Sequence, residues 1–144
     1  MSQRHPILND SRMLVTTVTK GRYPFFLRAA NAREAAECLY RVQSLHPFLL
    51  YSFVIMPDHC HFLLRVPPPE TIVVVMGSFK SGLTFDTGIP KLWQRRYHIR
   101  IARSSAAVLR YIHSDPVRNG LAENNADYPW SSACGRWPVS PLDE

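Results

Sequence analysis

The order of segments along the chain predicts an α+β protein of the ferredoxin-like, split βαβ kind: strand, helix, strand, strand, helix, strand and a closing helix. Four strands form one antiparallel sheet, two helices back it, and the C-terminal helix is an addition. Three observations carry this expectation. The dipeptide Pro57-Asp58 separates two apolar runs, as a tight hairpin turn does. Two segments, about Ala29 to Leu45 and Thr71 to Thr84, repeat apolar residues at helical spacing. Around them lie runs rich in β-branched or alternating apolar residues, which is strand patterning.

Arg12 to Thr19 (Arg-Met-Leu-Val-Thr-Thr-Val-Thr) is the first strand, and Gly21 to Phe26 a loop. In the first helix Ala32, Ala35, Ala36, Leu39, Tyr40 and Val42 make the apolar stripe, and His46-Pro47 ends it because a residue preceding proline is pushed out of the α region. Leu49 to Met56 and His59 to Val66 are the hairpin strands, the latter a central one, and Pro67-Pro-Pro69 closes the unit. Within the next segment Ile72-Val-Val-Val75 has strand propensity, yet Ile72, Met76, Phe79 and Leu83 recur at helical spacing; the spacing decides for helix despite Gly77 and Gly82. After the turn-rich Asp86 to Pro90, Leu92 to Ile101 is a fourth strand. Its Tyr97, Ile99 and Ile101 face the core, and Arg96, His98 and Arg100 form a basic face. Ser104 or Ser105 can cap a last helix that starts at Ala106. Pro116 must stop or kink it, and Gly120 is its natural end if it continues. Aromatics dock the tail through Tyr128-Pro-Trp-Ser-Ser132, whereas residues 1–10 and 138–144 are expected to be flexible.

A length of 144 residues suits one domain, 1–144. Hydrophobic content of 46% and a mean hydropathy of -0.15 describe a soluble globular chain. No apolar run approaches the roughly 20 residues of a membrane span, and Met1 to Asp10 lacks the apolar core of a secretion signal, so the expected location is the cytoplasm. Cys38, Cys60 and Cys134 are scattered and make neither a disulfide framework nor a Cys-x-x-Cys knuckle. The net charge of +6 and isoelectric point of about 9.6 favour an anionic partner, with nucleic acid foremost.

His59 and His61 stand two apart in an apolar strand, so both imidazoles point to one face and can converge on a cation. On the last helix Tyr111 and Asp115 are four apart and share a face. Asp115 can complete a three-ligand set with the histidines, a mixed nitrogen and oxygen site suited to magnesium or manganese as well as softer metals. Tyr111 then stands beside the metal as a nucleophile. An ordinary phenol pKa of about 10 means that it needs help at neutral pH.

Met56-Pro-Asp-His-Cys-His-Phe-Leu-Leu64, Leu92-Trp-Gln-Arg-Arg-Tyr97, Tyr111-Ile-His-Ser-Asp-Pro-Val-Arg-Asn-Gly-Leu121 and Tyr128-Pro-Trp-Ser-Ser132, in that order, resemble the single-tyrosine HUH transposases. The likeness is strongest to the REP-associated tyrosine transposase branch and runs from about Arg12 to Ser132. It implies cleavage and rejoining of single-stranded DNA near a hairpin. His59 and His61 match the histidine pair that holds a divalent metal, Mg2+ or Mn2+, and Tyr111 matches the nucleophile that forms a 5′-phosphotyrosine. The implied partner is single-stranded or hairpin DNA, with no membrane, in a nucleoid-associated setting; the family includes both homodimers and monomers.

Three positions or pairs and one segment depart from that pattern, one of them the entry to the last helix, which runs through Ala106 and Ala107 where acidic residues are often seen. Asp115, the third ligand, and Asp58, in the turn, stand where asparagine is usual, and the stretch from Lys80 to Trp93 is short. The Asp115 change is expected to alter metal affinity, metal preference or rate, and the short stretch to remove DNA contacts; the Asp58 change is expected to matter little. For DNA contact the candidates are Lys80, Lys91, Arg95, Arg96, Arg100 and Arg118, with Trp93, Tyr97 and His98 interleaved to stack bases. Two alternatives stay open: a hairpin-binding remnant that no longer cuts, and an RNA-binding module indifferent to loss of His59 or His61.

Overall fold

A computed structural model describes residues 9–142. Its main elements are β1 (Met13–Thr19), α1 (Ala29–Leu45), β2 (Leu49–Met56), β3 (His59–Arg65), α2 (Ile72–Thr87), β4 (Trp93–Ile101) and α3 (Ser105–Arg118). The sheet order is β2-β3-β1-β4 with every neighbouring pair antiparallel, so the predicted ferredoxin-like plan is the observed one and β3 is central. No helix among the described residues is long and apolar enough to cross a membrane.

Alternation along the strands sorts side chains onto two faces. Met13, Val15, Phe53, Ile55, Cys60, Phe62 and Leu64 face α1 and α2 and are fully buried with Ala35, Leu39, Ile72, Met76, Phe79 and Leu83. The larger of these side chains each contribute about 1.5–3 kcal/mol by leaving water. Helices α1 and α2 meet closely at Gly82, where an added Cβ would lie 3.3 Å from Cys38 Sγ. Glycine therefore serves the packing there, which offsets its poor helix propensity.

The opposite face is covered mainly over β2 and β3. Leu14, Tyr51, Val54, Met56 and Leu63 pack with Ile112 of α3 and Tyr128 of the tail. The tail fastens this cover to β2: Tyr128 Oη donates to Ile55 O at 2.7 Å, Ile55 N to Trp130 O at 2.8 Å and Phe53 N to Ser132 Oγ at 2.9 Å. His113 Nε2 of α3 lies 2.7 Å from the same Ser132 Oγ. Farther on, Ser140 N donates to Leu50 O and Tyr40 Oη to Pro138 O, each at 2.8 Å, so part of the stretch expected to be flexible is hydrogen bonded. At the other end Asn9 is buried and accepts from Ile72 N. Residues 1–8 and 143–144 of the ends expected to be flexible lie outside the described residues.

Pro116 does not stop α3, which runs on to Arg118 before Gly120 turns the chain with φ of 74°. The proline removes one amide donor near the helix end, and the lost turn is closed by Asn119 N to Asp115 O at 3.1 Å and Leu121 N to Pro116 O at 2.8 Å. Ser104 is the N-cap, its Oγ accepting from Ala107 N at 3.2 Å. Ser104→Ala is expected to destabilise the protein by about 1 kcal/mol, read as a lowered urea midpoint; an unchanged midpoint would mean the cap adds nothing.

Candidate active site

The hairpin turn at Pro57-Asp58 places His59 as the first residue of β3, with His61 two positions on and on the same face. Helix α3, laid across β2 and β3 by Ile112, brings Asp115 over the pair. Asp115 Oδ2 is 3.1 Å from His59 Nε2 and 3.5 Å from His61 Nε2. The three groups offer ligand atoms that all lie within 4.8 Å of one another. One turn earlier in α3, Tyr111 sets its ring centroid 5.7 Å from that of His61 and is 47% exposed.

Each would-be ligand is held from behind. His59 Nδ1 donates to Asp58 Oδ1 at 2.7 Å, and His61 Nδ1 lies 2.8 Å from Thr16 Oγ1 on β1. Asp115 Oδ1 accepts from Arg118 Nη2 at 3.1 Å and from Asn119 Nδ2 at 2.9 Å. Such contacts fix ring orientation and direct Nε2, Nε2 and Oδ2 toward one point, the arrangement expected around a metal. Two imidazoles and a carboxylate fit a divalent cation and leave coordination positions free for oxygens of a substrate.

The electrostatics follow from burial and these partners. Burial works to lower the His59 pKa, but the hydrogen bonds and charges of Asp115 and Asp58 outweigh it and hold it above the usual imidazole value. His61, desolvated and beside His59, is pushed down to about 4. Burial works to raise Asp115, and the hydrogen bond and charge of His59 overcome it, so the carboxyl stays below its ordinary range.

A depressed imidazole stabilises the fold in its neutral form, fully above its unfolded value of about 6.5, and that contribution is lost as pH falls toward the folded value. His59 has the opposite sign: its contribution is complete below about 6.5 and is lost as pH rises through its raised value. The urea midpoint of metal-free protein should thus fall further between about pH 7 and about pH 4.5 than that of His61→Gln. Equal falls would remove His61 as the group responsible.

Beside the tyrosine, the half of the sheet face that α3 leaves uncovered forms a cleft of about 260 Å³ lined by Leu14, Thr16, His61, His98, Arg100 and Tyr111 among others. Register explains the grouping, because Thr16 pairs with His61 on one side and His98 on the other, and Leu14 with Leu63 and Arg100. His98 and Arg100 therefore stand with His61 and Tyr111. Arg96 is exposed on β4 in alternation with them, while Arg95 is exposed and alternates onto the other face. Lys91 is exposed in the loop before β4, with φ of 59°.

Three other predicted DNA contacts are engaged within the protein. Lys80 Nζ donates to Gln94 O at 2.9 Å and Arg95 O at 3.3 Å, sits 5.7 Å from the Tyr97 ring centroid, and has its pKa lowered by burial. Trp93 packs between Phe26 and Phe79, with centroids 5.6 and 5.8 Å away. Arg118 lies with its guanidinium carbon 4.2 Å from the Tyr111 ring centroid, donates to Tyr111 O at 2.9 Å and also bonds Ser114 Oγ. Together with its bond to Asp115, these contacts make it a brace between the tyrosine and the carboxylate.

The sequence reading did not single out Thr16 and Asn119, and it gave Asp58 little weight, although Asp58 orients His59 and pairs with Arg22 Nε at 3.2 Å. The position of Asp58 next to His59 was a readable signal. Thr16 becomes meaningful only through strand register, which one sequence does not display.

The family described as "Transposase IS200 like" matches residues 9–115. Among curated proteins, the Escherichia coli K12 REP-associated tyrosine transposase is 24% identical over 110 residues, covering 70% of this chain and 67% of that protein. A Haemophilus influenzae protein provisionally named a REP-associated tyrosine transposase is 28% identical over 106 residues; the match spans 60% of each chain. Among solved structures, a REP-associated tyrosine transposase bound to a REP hairpin superposes with a TM-score of 0.78 at 20% identity, over 94% of this chain and 86% of that one. With the family match reaching across the sheet to Tyr111 and Asp115, the chain belongs to the IS200-like transposases, the single-tyrosine group that its ordered motifs resemble.

Proposed function

We propose that this protein is a metal-dependent single-stranded DNA transesterase that cleaves and rejoins DNA near hairpins, with Tyr111 as nucleophile. The observation that carries the reading is the meeting of Asp115 Oδ2 with Nε2 of both His59 and His61, with Tyr111 one helical turn away at the mouth of a basic cleft. His59, His61 and Asp115 would hold Mg2+ or Mn2+. Such an ion polarises phosphoryl oxygens and neutralises charge that develops on them. Arg100 and His98 line the cleft and receive the backbone phosphate.

Tyr111 Oη attacks phosphorus as it gives up its proton. The bond from phosphorus to the 3′-oxygen breaks, that oxygen takes a proton, and a 5′-phosphotyrosine remains. A second 3′-hydroxyl reverses the step, so strands are rejoined without an external energy source. Hairpin DNA is the assigned ligand class because the similar solved transposase holds a REP hairpin. An aspartate at the third ligand position brings an added negative charge beside the phosphate. Arg118, bonded to Asp115 Oδ1, offsets that charge, and the Asn119 amide donates to the same oxygen.

Labelled single-stranded hairpins mixed with the protein and magnesium or manganese test the reading on a denaturing gel. Protein-linked label is expected. Tight hairpin binding with no linked label and no cut strand would reduce the protein to a DNA-binding one.

A further inference from the structure

A second cleft, of about 430 Å³, opens between the loop after β1 and the loop before β4 and is lined by Tyr23, Phe25, Leu27, Arg28, Asn31 and Ile89 among others. Tyr23 is 61% and Leu27 66% exposed, a large cost in apolar surface for groups that serve no core. Their loop is firmly built. Thr19 Oγ1 donates to Tyr23 O at 2.8 Å, Asn31 Nδ2 to Phe25 O at 2.9 Å, and the Tyr23 and Phe25 ring centroids are 4.7 Å apart.

Charge indicates the occupant. Arg28 is the charged residue among those lining the cleft; exposed Lys20 and Arg22 stand on one flanking loop, where Arg22 is paired with Asp58, and exposed Lys91 stands on the other. Arg22 and Lys91 are the two non-glycine residues with positive φ among those described, 53° and 59°, so both flanking loops hold a cation in a conformation that costs energy. The loop that leads into the cleft is also joined to the candidate active site: Arg22 Nε bonds Asp58 Oδ2 at 3.2 Å, and Asp58 Oδ1 bonds His59 Nδ1 at 2.7 Å. Aromatic surface beside Arg28, with further cations on the flanking loops, fits an unpaired base carried on a phosphate backbone.

We propose that this cleft is a subsite for an unpaired nucleobase of the strand held at Tyr111, stacked on Tyr23 with its phosphates on the flanking cations. The inference rests on the reading of the protein as a single-stranded DNA enzyme.

Fluorescence anisotropy at one salt concentration tests it, with three labelled DNAs: a blunt hairpin, the same hairpin with single-stranded extensions on both sides, and one whose extensions carry abasic sites. Tyr23→Ala is expected to weaken binding of the extended hairpin about tenfold, as loss of one stacked base does. Blunt and abasic hairpins should bind wild type and variant alike, and Tyr23→Phe should restore wild-type affinity. No loss on the extended hairpin, or the same loss on all three, would overturn the subsite while leaving the proposed activity standing. Displacement of the extended hairpin by a glutamate-rich peptide from wild type but not from Tyr23→Ala would assign the cleft to an acidic protein segment instead. Failure of wild type to bind any of the three would overturn both readings.

Discussion

Tyr111→Phe is expected to lower the rate of DNA cleavage by about a thousandfold or more, because removing a nucleophile leaves only positioning and charge stabilisation. Hairpin affinity should change less than about twofold, since the ring stays between His61 and Arg118 and only the hydroxyl is lost. The ring contacts matter to the interpretation. A truncation to alanine would also release Arg118, which braces Asp115, and would mix loss of the nucleophile with disorder at the carboxylate. Single-turnover cleavage by the two proteins, with affinity measured in parallel, checks the expectation. Equal rates would remove Tyr111 from the reaction.

The double substitution His59→Ala with His61→Ala is expected to weaken divalent metal binding by about a hundredfold or more and to abolish metal-dependent cutting, because one carboxylate cannot replace a three-donor set. Titration calorimetry with manganese reads the first effect and gel analysis the second. Folding should survive, since His59 lies at the strand start and Asp115 keeps Arg118 and Asn119 as partners. Retained metal affinity together with retained cleavage would place the metal elsewhere in the chain.

Much of this was legible because local chemistry and fold agree. A proline at a two-residue gap, apolar residues at helical spacing and a β-branched first strand each fix an element, and the sheet follows from their order. The pairs His59 with His61 and Tyr111 with Asp115 were legible because strand alternation and helix periodicity put each on one face, whereas the meeting of the two pairs was implied by the resemblance of the ordered motifs. Direction and burial of the long cations were not. Lys80 reads as a surface charge but turns its ammonium onto carbonyls of β4, since the α2 turn that bears it packs against that strand. Arg118, one turn beyond Asp115 and Ser114, folds back along its own helix toward both of them and Tyr111. Pro116 reads as a stop or a kink with Gly120 as the end of a continuing helix, and the continuing course is the observed one because the proline falls where the helix has only one more turn to lose. Thr16 and His98 join His61 only because β1 and β4 pair in one register, a long-range property of the folded sheet.

The most direct measurement is mass spectrometry of tryptic peptides after wild-type protein has cut a hairpin substrate in manganese. Trypsin cuts after Arg110 and Arg118, and the peptide Tyr111-Ile-His-Ser-Asp-Pro-Val-Arg118 contains a single tyrosine. After a nuclease has trimmed the attached strand, this peptide should carry a nucleotide joined through a 5′-phosphate to Tyr111 in a fraction that tracks the cut DNA. Cut DNA with the nucleotide on another residue, or with every peptide unmodified, would contradict the account.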